Sequence, residues 1–191
     1  MTATPLNNEL HGERVILRQW RPTDREAFAA MGADPKVMQF LLKMLSREES
    51  DAFVDRIEAC FAERGFGLWA VEIPGLTEFA GFTGLWPAHP KIPCAPAVEV
   101  GYRLLPVAWG KGYATEAGRL ALRFGFERAR LDSIVSFTAV TNVRSQAVMK
   151  RLGLSHECYF DHPLVPEEHP LRRHVLYRIA ATEWRGTAFL D

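Results

Sequence analysis

The sequence is poor in cysteine, carries no net charge and contains no long apolar run, and each absence excludes something. Three cysteines in 191 residues, Cys60, Cys94 and Cys158, are odd in number and widely spaced. That pattern argues against a secreted disulfide framework and for a reducing compartment. Lys plus Arg number 23 and Asp plus Glu number 23, so no global field draws the chain to nucleic acid or to an anionic membrane. Any phosphate recognition has to be local. No apolar stretch approaches the roughly 18 residues that a membrane span requires. The opening residues, MTATPLNNELHGER, lack a basic start followed by an apolar segment, so no signal peptide is visible. Nothing repeats, and no segment is low in complexity. These absences predict a soluble cytoplasmic protein.

What is present is the balance of an ordinary globular domain, with 48% hydrophobic and 24% charged residues. A chain of this length fits one domain, residues 1–191, with a sizeable core. Residues 14–20 alternate and carry β-branched side chains, which predicts a first strand. Pro22 suits the first turn of a helix running to about Met31, where Gly32 and Asp34-Pro35 stop it. Ser46 with Glu49 forms a capping box that opens a helix through Arg64, ended by Gly65. Residues 66–73 and 78–86 are strand-like runs, and Pro74-Gly75 between them marks a hairpin turn. Residues 87–96, with Pro87, Pro90, Pro93 and Pro96, read as an exposed loop. A strand over 97–105 follows, then a helix over 111–129 with Ala114, Ala117, Ala121 and Phe124 on one stripe. The rest reads as a strand over 133–140, a helix over 143–152, and strands near 155–160 and 173–181. Central strand–helix alternation flanked by hairpins predicts an α/β (α+β) three-layer domain with a mixed sheet.

The segment richest in chemistry runs from Leu104 to Ala117. It joins a strand to a helix through Gly110 and Gly112, which permit close approach of a ligand to the backbone. The helix start offers unpaired N–H groups and a positive dipole end, together an anion site suited to a pyrophosphate. The dinucleotide fingerprint fails because Thr115 stands where a third Gly is needed, and the Walker A pattern is absent. A lone Gly-x-Gly is also compatible with a loop that merely needs flexibility.

Four segments together are more specific. Trp109-Gly110-Lys111-Gly112-Tyr113-Ala114-Thr115-Glu116-Ala117 resembles the coenzyme A pyrophosphate loop of the GNAT acetyltransferase superfamily. Glu13-Arg14-Val15-Ile16-Leu17-Arg18 resembles the opening strand of its ribosomal-protein N-terminal acetyltransferase (Rim-type) branch. Val98-Glu99-Val100-Gly101-Tyr102 resembles its central strand. Asn142-Val143-Arg144-Ser145 through Lys150-Arg151-Leu152-Gly153-Leu154 resembles its second cofactor motif.

The resemblance implies a splayed sheet with acetyl-CoA as co-substrate, wedged between strands 98–104 and 134–140, and no metal. Trp109, Gly110, Lys111, Gly112, Tyr113, Ala114 and Thr115 would hold the pyrophosphate. Val100, Gly101 and Tyr102 would pair with the pantetheine arm, and Asn142 and Ser145 would lie beside it and its sulfur. Lys111, Arg144 and Arg151 are candidates to meet the phosphates. Glu99 is the candidate base, since strand alternation sets Glu99, Gly101 and Arg103 on the face opposite Val98, Val100 and Tyr102. Without the resemblance, Glu99 reads as a solvated strand residue. Many members place a Tyr acid four residues before the Gly of the second motif. Met149 stands there, which leaves Ser145 to protonate or orient the sulfur, or to cap its helix. Val107 departs from the wider superfamily but not from the Rim-type branch.

The implied reaction is transfer of an acetyl group to a peptide N-terminus or a small amine. The alternative is a non-catalytic acyl-CoA sensor or partner-binding module. Cys158, His162, His169 and His174 fit no zinc spacing and read as structural or substrate-contacting. Trp69, Trp86 and Phe82 read as core, Trp20 and Trp184 as covers of the sheet ends. Glu167 and Glu168, in the loop 161–172, could steer a cationic amine. Monomer and homodimer both remain open.

Overall fold

The computed structural model describes residues 9–186; the opening stretch 1–8, part of the segment inspected for a signal peptide, and residues 187–191 lie outside the described residues. The chain enters as β1 (Leu10–His11) and turns back into β2 (Ile16–Arg18). The expected strand over 14–20 is thus cut short, because Gly12 donates to the Val15 carbonyl and closes a turn over its first residues. Helix α1 (Asp24–Gly32) starts after Pro22 and includes Gly32 instead of stopping before it. Asp34-Pro35 does end that helix, but it also starts α2 (Pro35–Met38), where the Asp34 carboxylate accepts from the Lys36 amide at 2.8 Å. Proline breaks a helix from within and favours its first position, so one dipeptide does both. Helix α3 (Arg47–Arg64) has the expected capping box, with Glu49 accepting from the Ser46 amide at 2.9 Å. It ends where Gly65 turns to φ 73° and its amide donates to Phe61.

Strands β3 (Leu68–Ile73) and β4 (Thr77–Pro87) form the expected hairpin around Pro74-Gly75. Then come β5 (Val98–Leu104), α4 (Tyr113–Arg123), β6 (Ser133–Ala139), α5 (Val143–Arg151), β7 (Ser155–Asp161) and β8 (Arg173–Ala180). Helix α4 cannot begin at residue 111, because Gly112 sits at φ 84°, outside right-handed helix space. Past Arg123 its axis continues as one π-helical turn, Phe124–Arg128, that buries Phe124, Gly125 and Phe126 in succession.

The described strands form one mixed sheet in the order β1-β2-β3-β4-β5-β6-β8-β7. Its pairs are antiparallel except β5–β6, which run parallel and match only at Glu99 and Val135. The Ser136 hydroxyl adds one tie, donating to the Val100 carbonyl at 2.9 Å. Beyond that point the two strands separate, so the sheet is splayed as expected.

Helices α4 and α5 cover one face over a core that includes Trp69, Leu85, Val100, Leu122 and Ile134. Helices α1 and α3 cover the first half of the other face, over Phe28, Ile57, Phe79 and Phe82. Trp69 and Phe82 are core residues as read, while Trp86 packs half-buried against Phe53. Trp20 is buried and its Nε1 donates to the Leu68 carbonyl at 2.7 Å. Trp184 lies against Phe126. The proline-rich loop is not simply exposed: Ala88 and Ile92 are buried, Ile92 packing with Val135, Phe160 and Leu176 in a third, smaller core. Prolines break the strand, yet the apolar side chains between them still gain from leaving water. Among the described residues no helix is long and apolar enough to cross a membrane.

One buried charge cluster ties the first half together. Arg18 is 1% exposed and grips Asp24 with two bonds of 2.7 and 2.9 Å, Glu72 at 2.8 Å and the Glu78 carbonyl at 2.6 Å. Arg18→Met removes the cation but leaves Asp24 buried, so it should cost about 3–5 kcal/mol. Chemical denaturation checks this; a loss below about 1 kcal/mol would show that the cluster contributes little.

Candidate active site

The loop between β5 and α4 is built around two glycines and an indole. Trp109 Nε1 donates to the Leu104 carbonyl at 2.7 Å, folding the loop back on the end of β5. Gly110 and Gly112 take φ of 72° and 84°, conformations that side chains rarely adopt. The first helical bonds of α4 use the Gly112 carbonyl, which accepts from Thr115 and Glu116 at 3.0 Å each. The amides of Gly110, Lys111, Gly112, Tyr113 and Ala114 donate to no acceptor among the described residues. A run of free N–H groups at the positive end of a helix is an anion cradle.

A clamp that local sequence could not show holds the cradle in place. Arg14, on the turn before β2, donates from its amide to Glu116 Oε1 at 2.6 Å and from Nε to Oε2 at 2.8 Å. Its guanidinium also donates to the Lys111 carbonyl at 3.0 Å and lies 5.0 Å from the centre of the Tyr113 ring. Both partners fall in segments already singled out, but 102 positions separate them. Of the cations expected near phosphate, Lys111 is exposed within the loop and Arg144 lies over the Trp109 ring at 5.4 Å. Arg151 ends α5, about 10 Å of helix from Arg144, and its carbonyl accepts from the Arg119 guanidinium at 3.5 Å.

The gap between β5 and β6 opens beside this cradle. The Val100 carbonyl faces β6 and is taken by Ser136, and alternation turns the backbone of Tyr102 to that same edge beyond the last pair. Asn142, not Ser145, caps α5: its Oδ1 accepts from the Ser145 amide at 3.2 Å and its Nδ2 donates to Thr138 Oγ1 at 3.1 Å. That frees the Ser145 hydroxyl, which lies 3.0 Å from the Tyr102 hydroxyl. Tyr102 also donates to the Ser145 carbonyl at 2.9 Å, so its phenol ties β5 to the first turn of α5. Burial pushes that phenol up to about 12. The sequence reading used only the backbone of Tyr102 and missed this bridge. Met149 is 1% exposed in the core and offers no proton.

Glu99 lies on the opposite face of β5 from Tyr102 and Ser145, as alternation requires, directly across from Trp86 on β4. It lines a cavity of about 1010 Å³ together with Trp86, His89, Ile92, Phe137 and His162. No cation lies within ion-pair distance of its carboxylate among the described residues, and burial alone pushes it up to about 7. His162, at the start of the loop 161–172, joins this wall, and its ring centre is 4.6 Å from that of His174. Burial holds His162 down to about 4. Among the described residues no group of three His, Cys, Asp or Glu side chains is placed to hold a metal ion.

Comparison with known proteins places this geometry. The sequence model of the Acetyltransferase (GNAT) domain matches residues 14–155, which span the clamp, the cradle, the gap and α5. The chain belongs to the GNAT acetyltransferase family. It is 31% identical over 183 residues to FsC-acetyl coenzyme A-N(2)-transacetylase of Aspergillus fumigatus, covering 92% of this chain and 77% of that protein. It is 25% identical over 173 residues to the uncharacterized N-acetyltransferase YnaD of Bacillus subtilis, covering 90% and 96%. A GNAT-family acetyltransferase of Bacillus anthracis superposes with a TM-score of 0.76 at 23% identity, covering 91% of this chain and 99% of that one, and shares the fold.

This GNAT protein is therefore an acetyl-CoA-dependent N-acetyltransferase. The free amides suit the pyrophosphate of coenzyme A, and space at the cradle agrees. A side chain begun at Gly110 meets nothing within 4 Å, so the loop surface stands open to a ligand. Gly112→Val should raise the KM for acetyl-CoA by at least about tenfold while lowering kcat less. Steady-state kinetics with a parallel melting curve checks this, and an unchanged KM in a folded variant would remove the cradle from the cofactor site.

Proposed function

We propose that this single-domain protein belongs to the Rim-type branch and transfers acetyl directly from acetyl-CoA to an amine. The observation that carries the reading is Glu99: a carboxylate without a cation partner, raised to about 7 by burial, at the point where β5 leaves β6. There it takes a proton from the attacking ammonium, directly or through one water. The amine nitrogen then bonds the thioester carbonyl carbon, the C–S bond breaks, and the proton that the nitrogen sheds as the amide forms goes to the departing thiolate, which leaves as the thiol of coenzyme A. Because Glu99 and Ser145 sit on opposite faces of β5, the thioester has to reach through the gap. Tyr102 gives its one proton to the Ser145 carbonyl, so the Ser145 hydroxyl turns its own single proton from the Tyr102 oxygen to the sulfur on the far side as the thioester enters. Trp109 through Thr115 bind the pyrophosphate, Val100 to Tyr102 and Asn142 flank the pantetheine arm, and a backbone N–H of β5 stabilises the oxyanion.

The acceptor is an N-terminal α-amine of a protein or a small-molecule amine. The first follows from the likeness of residues 13–18 and 142–154 to the Rim-type branch. The second draws on the Aspergillus relative, whose name describes transfer to an N(2) amine of FsC. A second reading, an acyl-CoA sensor without turnover, is favoured by Met149 at the position of the family's tyrosine. Calorimetric titration with acetyl-CoA, then thiol release against N-terminal peptides and small amines, separates the three: binding without release on any acceptor supports the sensor.

The pH dependence tests Glu99 itself. Below about 7 it is protonated and cannot accept, so kcat/KM should climb as pH rises through 7 and then level off. Glu99→Gln should lose that limb and fall about 10²–10³-fold near neutrality. Full activity of the variant across pH would reduce Glu99 to a strand residue.

A further inference from the structure

Arg103 lies four residues after Glu99 on the same face of β5, and Gly101 lies between them. A side chain begun at Gly101 would meet no heavy atom within 4 Å, so the strip from Glu99 to Arg103 has an open floor. Its guanidinium lies over the Phe82 ring at 5.2 Å and donates to the Met38 thioether at 3.5 Å. Neither contact neutralises its charge, and no carboxylate lies within ion-pair distance of it among the described residues. Burial alone accounts for its lowered pKa, about 10, which agrees with the missing counter-ion.

The contrast with Arg18 is informative. Where this fold withdraws an arginine for its own stability, it supplies Asp24 and Glu72. A half-buried guanidinium left without an anion is costly, and its planar fork of donors suits a carboxylate or phosphate. Glu99 is the reverse case on the same floor. The two do not neutralise each other, because four residues of strand separate their Cα atoms by roughly 13 Å. An anion site and a cation site thus lie on one face of β5 with open space between them at Gly101, complementary to a molecule that carries both charges.

The geometry points to an acceptor with an anionic group several bonds from its reactive amine, bound through that group by Arg103. This rests on the reading of Glu99 as the group that receives the ammonium proton. The shared chemistry fits an acidic side chain near a peptide N-terminus or a carboxylate on a small amine.

The test uses acceptors in pairs that differ only by acid against amide. Peptides beginning Ser-Glu and Ser-Gln form one arm, and 4-aminobutyrate with its amide forms the other. Thiol release gives kcat/KM for each with wild type, Arg103→Gln and Arg103→Lys, and calorimetry gives acetyl-CoA affinity for the same proteins. Wild type should prefer the acid member of one pair by about 10–100-fold, and the arm showing it identifies the source. Arg103→Gln should bring the preference close to unity, Arg103→Lys should keep part of it, and acetyl-CoA affinity should stay within about twofold in both. Equal turnover of acid and amide by wild type, or a preference that survives Arg103→Gln, overturns the assignment alone. Acetyl-CoA binding without thiol release on any acceptor overturns the reading of Glu99 beneath it.

Discussion

The parallel pair β5–β6 meets only at Glu99 and Val135 and then comes apart, and the rest of the site depends on this. A sheet that opens in its middle exposes backbone donors and acceptors that ordinarily require partners. Ser136 satisfies one of them at Val100, and Tyr102 reaches over to Ser145. The remainder is left to a ligand. An extended molecule can enter such a gap as an added strand, and a pantetheine arm lying there would carry its terminal thioester toward the other face. In the proposed reaction the gap serves both as the binding slot and as the passage joining two faces that the sheet otherwise separates.

Each face contributes a different kind of electrostatics. On the side of α4 and α5 the device is attraction: five amides without an acceptor among the described residues, a helix dipole, and nearby Lys111 and Arg144 form a local site for an anion. A chain with no net charge concentrates positive potential there without becoming basic overall. On the side of α1 and α3 the device is desolvation. Glu99 and Arg103 sit apart on one face of β5, with open space at Gly101 between them, each displaced from its ordinary pKa by burial alone. Groups prepared this way meet a charged partner without first giving up one of their own.

Much of this was legible because it is written locally. The capping box at Ser46, the stop at Gly65, the hairpin at Pro74-Gly75 and the glycines of the cradle each act within a few residues. Alternation along β5 was enough to put Glu99 and Tyr102 on opposite faces. What stayed hidden depends on partners distant in sequence. Arg14 and Glu116 look like two surface charges until the fold joins them, and the phenol of Tyr102 has no visible target until α5 docks. Ser145 also read as a cap of its helix, but Asn142 stands one position before α5 and takes that role. The prolines of residues 87–96 disguised a loop whose apolar side chains complete a small core. The isolation of Arg103 is set by the neighbours that α2 and β4 bring to it, Met38 and Phe82, neither of which carries a charge.

The most direct test is to follow backbone amide resonances of the ¹⁵N-labelled protein while coenzyme A is added. The account predicts that Gly110, Lys111, Gly112, Tyr113 and Ala114 shift together and by more than the rest of the chain, because the pyrophosphate accepts from their N–H groups. Tyr102, at the parting edge, should shift with them as the pantetheine arm pairs there. Saturable binding that leaves these amides unmoved and perturbs another surface would contradict the account.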